Sequence, residues 1–152
     1  MIRKATIKDT EIILNLLRQI SKYHSNLRPD IFKVSSKYNY DEVAKLINSE
    51  DFIIFVHEEN NFVDGYVFLK LIKVKDHSLL QDINTIYIDD FCVDENKRRT
   101  GIGEKLYSFV KEYAKENGYD NITLNVWAGN DAIKFYEKMG LKPQKITLEE
   151  KI

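Results

Sequence analysis

The chain has 152 residues, 43% of them hydrophobic and 31% charged, with a formal net charge of -1. That length and balance describe one soluble globular domain, and the near-zero charge disfavours a nucleic-acid partner. No apolar run approaches the roughly 18 residues of a membrane-spanning helix. With Cys92 as the single cysteine no internal disulfide can form, which suits a reducing cytosol, so a cytoplasmic, non-membrane, non-secreted protein is expected.

In chain order, Ile2 to Ile7 reads as a first strand. Thr6 with Asp9 three residues on is a helix start, and Ile12, Ile13, Leu16, Leu17 and Ile20 follow helical spacing. Tyr23 to Phe32 reads as an irregular segment, with Pro29 stopping any helix before it. His24 within it is either a substrate contact or a helix-end side chain, the second being favoured. Asn39 and Glu42 form another capping box ahead of a short helix through Val43, Leu46 and Ile47. Phe52 to Val56 is a continuous apolar run suited to a strand buried on both faces. Glu59-Asn60-Asn61 signals a hairpin turn, Gly65 to Val74 the returning strand with a bulge at Gly65, and Lys75 to Asn84 a polar loop.

The informative stretch follows. Ile86, Ile88, Phe91 and Val93 mark an apolar strand that runs into Asp94-Glu95-Asn96-Lys97. Arg98, Arg99, Thr100, Gly101, Ile102 and Gly103 come next, and the helical pattern Leu106, Tyr107, Phe109, Val110, Tyr113, Ala114 starts at once. A strand, a glycine turn and a helix place free backbone N–H groups at a helix N-terminus, which attracts anions. Gly101 and Gly103 allow close backbone approach, and two arginines add charge matched to phosphate oxygens. The stretch reads as a pyrophosphate cradle, against the plainer reading of a tight turn. It fits neither the dinucleotide fingerprint, whose third glycine would fall at Leu106, nor the Walker A pattern.

Asn117-Gly118 is a natural helix end. Asn121 to Trp127 alternates as a strand, Asn130 opens a last helix that Gly140 ends, and Leu141 to Glu149 reads as a final strand. The order β-α-α-β-β-β-α-β-α-β predicts a mixed, twisted α/β sheet with helices on both faces. The strands flanking the cradle helix are expected to be parallel neighbours.

Arg98-x-x-Gly101-x-Gly103 after an apolar strand resembles the acetyl-CoA signature of the GNAT superfamily of N-acetyltransferases. The run Asn130 to Leu141 resembles that superfamily's other hallmark. Arg99 departs from the pattern, standing where many members have glycine. The resemblance implies the GNAT fold, with the two parallel strands splayed to admit a pantetheine arm. That arm would pair with the backbone of Phe91, Cys92 and Val93. The diphosphate would lie on Arg98, Arg99, Thr100, Gly101, Ile102 and Gly103, and Asn130, Ala132 and Tyr136 would line the pantetheine. It also implies acetyl-CoA as co-substrate and, because dimers are common in the superfamily, a homodimer.

Moving an acetyl group to an amine requires the amine to lose a proton. A lysine-like amine is neutral only about one part in a thousand at pH 7, so a carboxylate is useful. Strands disfavour Asp, so Asp89 and Asp90 inside one call for a reason. They are either functional or a bulge pair bonded to solvent and backbone. Because successive strand residues face opposite sides, one of the two is expected to reach the acceptor.

The segment Ile88 to Val93 looks especially like the corresponding strand of spermidine/spermine N-acetyltransferases. Carried over, the base falls on Asp89, with Asp90 steering a cationic acceptor. Tyr136 is the acid candidate for the departing thiolate, against the plainer reading of a packed tyrosine. Cys92 is read as buried and inert, so direct transfer in a ternary complex is expected. No His, Cys and Asp spacing suggests a metal.

The leading reading is an acetyl-CoA-dependent N-acetyltransferase acting on a small polyamine-like or lysine-like amine. The rivals are a peptide or protein N-terminal or lysine acetyltransferase, and a non-catalytic acyl-CoA-binding module.

Overall fold

A computed structural model describes residues 1–152. Five strands, β1 (Ile2–Lys4), β2 (Phe52–Glu59), β3 (Phe62–Val74), β4 (Ile83–Val93) and β5 (Asn121–Leu124), lie in one sheet in that spatial order. The first three pairings are antiparallel and β4–β5 is parallel, as the strands flanking a crossover helix require. Helices α1 (Thr10–Leu27) and α2 (Tyr40–Ile47) cover one face of the sheet. The other face is covered by α3 (Ile102–Glu116) and α4 (Ala132–Lys138).

Each face therefore has its own core. Ile13, Leu16, Leu17 and Val43 pack on Ile54, Val56, Tyr66, Phe68 and Cys92 on the first. Ile102, Leu106 and Val110 pack on Phe55, Val67, Leu69, Ile86 and Ile88 on the second. The apolar run Phe52 to Val56 is continuous because its alternate residues serve both cores.

Local chemistry sets the element boundaries. The Thr6 N–H donates to Asp9 Oδ2 at 2.7 Å, turning the chain out of β1 early, so the strand ends at Lys4 and not at Ile7. The Glu42 N–H donates to Asn39 Oδ1 at 2.9 Å and starts α2. Asn60 and Asn61 take φ of 52° and 62°, the left-handed pair that a two-residue hairpin turn demands. Gly118 at φ 73° ends α3.

Three expectations are corrected. The helix continues through Tyr23 and His24 to Leu27, because Pro29 bars helix only in its own vicinity. The strand after α3 stops at Leu124 rather than Trp127. The stretch Leu141 to Glu149 forms no strand: Pro143 has no N–H to give a ladder, and the apolar pair Ile146 and Leu148 stays exposed, so no face is buried. Ion pairs hold this tail instead, Glu149 to Arg28 at 3.0 Å and Lys151 to Asp30 at 3.0 Å.

The β2–β3 register shifts between His57 and Glu58, leaving Asp64 as the extra residue beside Gly65. Asp64 Oδ1 lies 2.6 Å from His57 Nδ1, both side chains buried. Gly65 itself faces α3. A Cβ there would meet Leu106 Cδ1 at 3.1 Å and both Ile102 Cγ2 and the Cys92 carbonyl at 3.2 Å. Gly65→Val is therefore expected to lower stability by about 2–3 kcal/mol, because the backbone carbonyl cannot yield. Urea unfolding measures it, and a variant as stable as the parent would show that α3 can shift away from the sheet. No helix is long and apolar enough to cross a membrane.

Candidate active site

The β4–β5 ladder runs from Thr85↔Asn121 to Ile88↔Leu124 and stops, while β4 continues to Val93. The edge of Asp89 to Val93 that faces away from β3 thus has no strand partner. This gap is the splay that the resemblance implies. Phe91, Cys92 and Val93 stand along it, and on their other edge they pair with Val67, Tyr66 and Gly65 of β3.

At the gap's lower end the chain turns into α3. Gly101 takes φ 87°, a conformation that would strain any residue with a Cβ, and Arg99 takes φ 63°. The departure at Arg99 therefore falls on a left-handed position that glycine satisfies at less cost. The backbone N–H groups from Arg98 to Glu104 donate to no other group of the chain. They lie in the turn before α3 and in its first turn, at the helix's positive end, with the exposed Arg98 and Arg99 among them. Gly103 lies where its missing side chain would touch Phe135 at 3.4 Å and Phe91 at 3.8 Å, so α3, β4 and α4 close on one another there. Free amides, a positive helix end and two guanidiniums suit a diphosphate, and the gap above suits an extended amide-bearing arm. The residues present fit acetyl-CoA.

A second bulge decides the chemistry. In the β3–β4 ladder Phe68 opposes Asp90 and Leu69 opposes Ile88, so Asp89 opposes nothing. The extra residue shifts the alternation by one. Ile86 and Ile88 face α3, whereas Cys92 faces α1. Asp89 and Asp90 consequently turn toward the same side, and Lys37 Nζ reaches both, at 3.2 Å and 3.9 Å. The strict alternation from which one of the two was expected to reach the acceptor is broken by this bulge.

The two carboxylates differ in their surroundings. Asp89 Oδ2 accepts from the Tyr38 hydroxyl at 2.6 Å. Asp90 is 9% exposed and accepts from the buried Tyr66 hydroxyl at 3.0 Å. Burial pushes the Asp90 carboxyl from its ordinary 3.8 up to about 6; Lys37 and Tyr66 oppose the rise, and the Asp89 charge adds to it. The group binds its proton more tightly folded than unfolded. Its stabilising effect is complete below about pH 4 and is lost as pH rises through about 6, some 3 kcal/mol in all. Urea unfolding of the parent and Asp90→Asn at about pH 4 and pH 8 should show the parent losing stability relative to the variant. A constant difference would mean the carboxylate is solvated.

Tyr136 lies on α4 against Phe91, ring centroids 6.3 Å apart and edge-on. Burial first, then the Asp90 charge and Tyr107, raises its phenol well above the ordinary value, so it keeps its proton. Asn130 is buried; its Oδ1 accepts from the Ala132 N–H at 2.9 Å, just ahead of α4, and from the Tyr23 hydroxyl at 3.2 Å. Cys92 is buried, with Sγ directed at the Leu16 carbonyl, and burial pushes its thiol up to about 12. His24 is half-buried and stacks on Phe32, ring centroids 5.4 Å apart.

The structure thus places Asp89 and Asp90 on one face of β4 and sets Tyr136 edge-on to Phe91 from α4, with the Arg98 to Gly103 turn following the strand. Lys37, Tyr38 and Tyr66 join them without a local signal in the sequence.

Residues 19–141 match the family model described as acetyltransferase (GNAT) family. A solved mutant of the BH1408 protein from Bacillus halodurans is 31% identical over 100% of this chain and 99% of its own, with a TM-score of 0.95. An aminoglycoside acetyltransferase from an uncultured soil metagenomic sample, in complex with trehalose, is 21% identical; it covers 100% of this chain and 95% of its own, with a TM-score of 0.73. For glucosamine-6-phosphate N-acetyltransferase from Arabidopsis thaliana the identity is 21%, the coverage 99% and 97%, and the TM-score 0.72.

Proposed function

The chain belongs to the GNAT acetyltransferase family, and from that premise we propose that it transfers an acetyl group from acetyl-CoA directly to a cationic primary amine, polyamine-like or lysine-like. The observation that carries this reading is the bulge at Asp89. It turns two carboxylates to one face of β4 where its pairing with β5 has ended, and the Tyr136 phenol on α4 feels the Asp90 charge. Acetyl-CoA, when bound, supplies the activated acyl carbon and a thiolate leaving group.

The chain's own residues supply the rest. The amides from Arg98 to Glu104, with both guanidiniums, hold the diphosphate. The free edge of Phe91, Cys92 and Val93 aligns the arm. Asp89 and Asp90 attract an ammonium group. Asp90, poised near pH 6, accepts its proton at neutral pH. The resemblance places the base at Asp89, but Asp89 is already tied to Tyr38 and Lys37, so the surroundings favour Asp90. Tyr136 holds a proton for the departing sulfur. Cys92 takes no part, since a thiol pushed up to about 12 offers no thiolate near neutral pH.

The test is to incubate the protein with acetyl-CoA and a panel of polyamines, amino acids, aminoglycosides and peptides, then find the acetylated product by mass spectrometry. A polyamine or lysine-like amine gaining one acetyl unit supports the reading. Coenzyme A binding with no amine acetylated would support a non-catalytic acyl-CoA-binding module instead.

A further inference from the structure

We propose that Lys37 is an internal acetyl acceptor, and that the protein acetylates itself there before it serves an external amine. The inference rests on the transfer reading above. The acid pair assigned to the acceptor already holds an amine of this chain: Lys37 Nζ donates to the Asp89 carbonyl at 2.7 Å and lies 3.2 Å and 3.9 Å from the two carboxylates.

The position is fixed from both sides. Lys37 belongs to the irregular segment between α1 and α2. Its neighbour Tyr38 is clamped by the hydrogen bond to Asp89 and by stacking on Phe68, ring centroids 5.8 Å apart. Lys37 Nζ is therefore delivered to the bulge. The other ion-paired lysines differ. Lys115 pairs within α3, Lys151 with Asp30 after α1, and Lys138 with Glu104 at the start of α3; none of the three carboxylates belongs to the bulge, and these lysine side chains are 60–70% exposed against 40% for Lys37.

The step balances. The Lys37 ammonium gives a proton to Asp90. Its neutral Nζ forms a bond to the acetyl carbonyl carbon, and the carbon–sulfur bond breaks with its electron pair on sulfur. Of the two protons that Nζ loses, one ends on the thiol of coenzyme A and the other passes through Asp90 to solvent. The product, an acetylated Lys37, is neutral. Asp89 and Asp90 then lose their internal cation and become free for an external one.

The experiment has a covalent readout and a binding readout. Wild-type protein is incubated with acetyl-CoA alone, digested and mapped by mass spectrometry. Lys37 is expected to carry at least about tenfold more acetyl than Lys115 or Lys138, an advantage that heat-denatured protein lacks. Lys37→Arg should abolish the mark. In a separate calorimetric titration without any donor, Lys37→Gln should bind spermidine several-fold tighter than wild type, and Lys37→Arg should not. Lys37 modified no more than the surface lysines, or equal spermidine affinity in wild type and Lys37→Gln, overturns the proposal. If spermidine is acetylated while Lys37 stays unmodified, this inference falls and the transfer reading stands. If coenzyme A binds and neither amine is acetylated, both fall.

Discussion

Asp90→Asn is expected to lower kcat/KM for a primary amine by about 10²–10⁴-fold and to erase the acid limb of its pH profile. The parent's profile should carry a limb with a midpoint at about 6, where the buried carboxyl loses its proton. Below it Asp90 is neutral and can neither attract an ammonium group nor take its proton. An asparagine keeps the size and the Tyr66 contact but never ionises, so the rate stays low and that limb is absent. Asp89→Asn is the informative partner. Asp89 already accepts from Tyr38 at 2.6 Å, so its loss should raise KM more than it lowers kcat. Should the limb survive in Asp90→Asn and vanish in Asp89→Asn, the base is Asp89, where the resemblance to spermidine/spermine N-acetyltransferases put it.

Tyr136→Phe is expected to lower kcat by about 10²-fold while coenzyme A affinity stays within about twofold. Burial and the Asp90 charge keep the phenol protonated, and no hydrogen bond contributes to that shift. On the proposed reading that proton goes to the departing sulfur. Phenylalanine preserves the edge-on packing against Phe91 and Phe135, so folding and donor binding should persist. Single-turnover kinetics and a binding titration on the same sample check the split. Equal losses in both would make the ring a packing element only.

Much of the fold was legible because its signals are local. The Asn39 cap, the Asn60-Asn61 turn and the Gly101 turn each act within a few residues, and each forms as read. The strand–turn–helix cradle was readable for the same reason. What was hidden depends on register and distance. The paired Asp89 and Asp90 allowed a bulge as the plainer reading, but that Asp89 is the extra residue, and that both carboxylates then share a face, follows from how β4 slides along β3. Lys37 and Tyr38 meet Asp89 across 52 and 51 residues, and Tyr66 meets Asp90 across 24. The final strand failed for a different reason. Ile146 and Leu148 alternate as a strand should, but Pro143 and the charged neighbours leave no face to bury.

The central claim is that the amides from Arg98 to Glu104 and the gap beside β4 hold a coenzyme A thioester. Calorimetric titration of the protein with coenzyme A tests it most directly. One site per chain is predicted, with a dissociation constant on the order of 10 µM that weakens as salt is added. No heat, and no rise in melting temperature at millimolar coenzyme A, would contradict it.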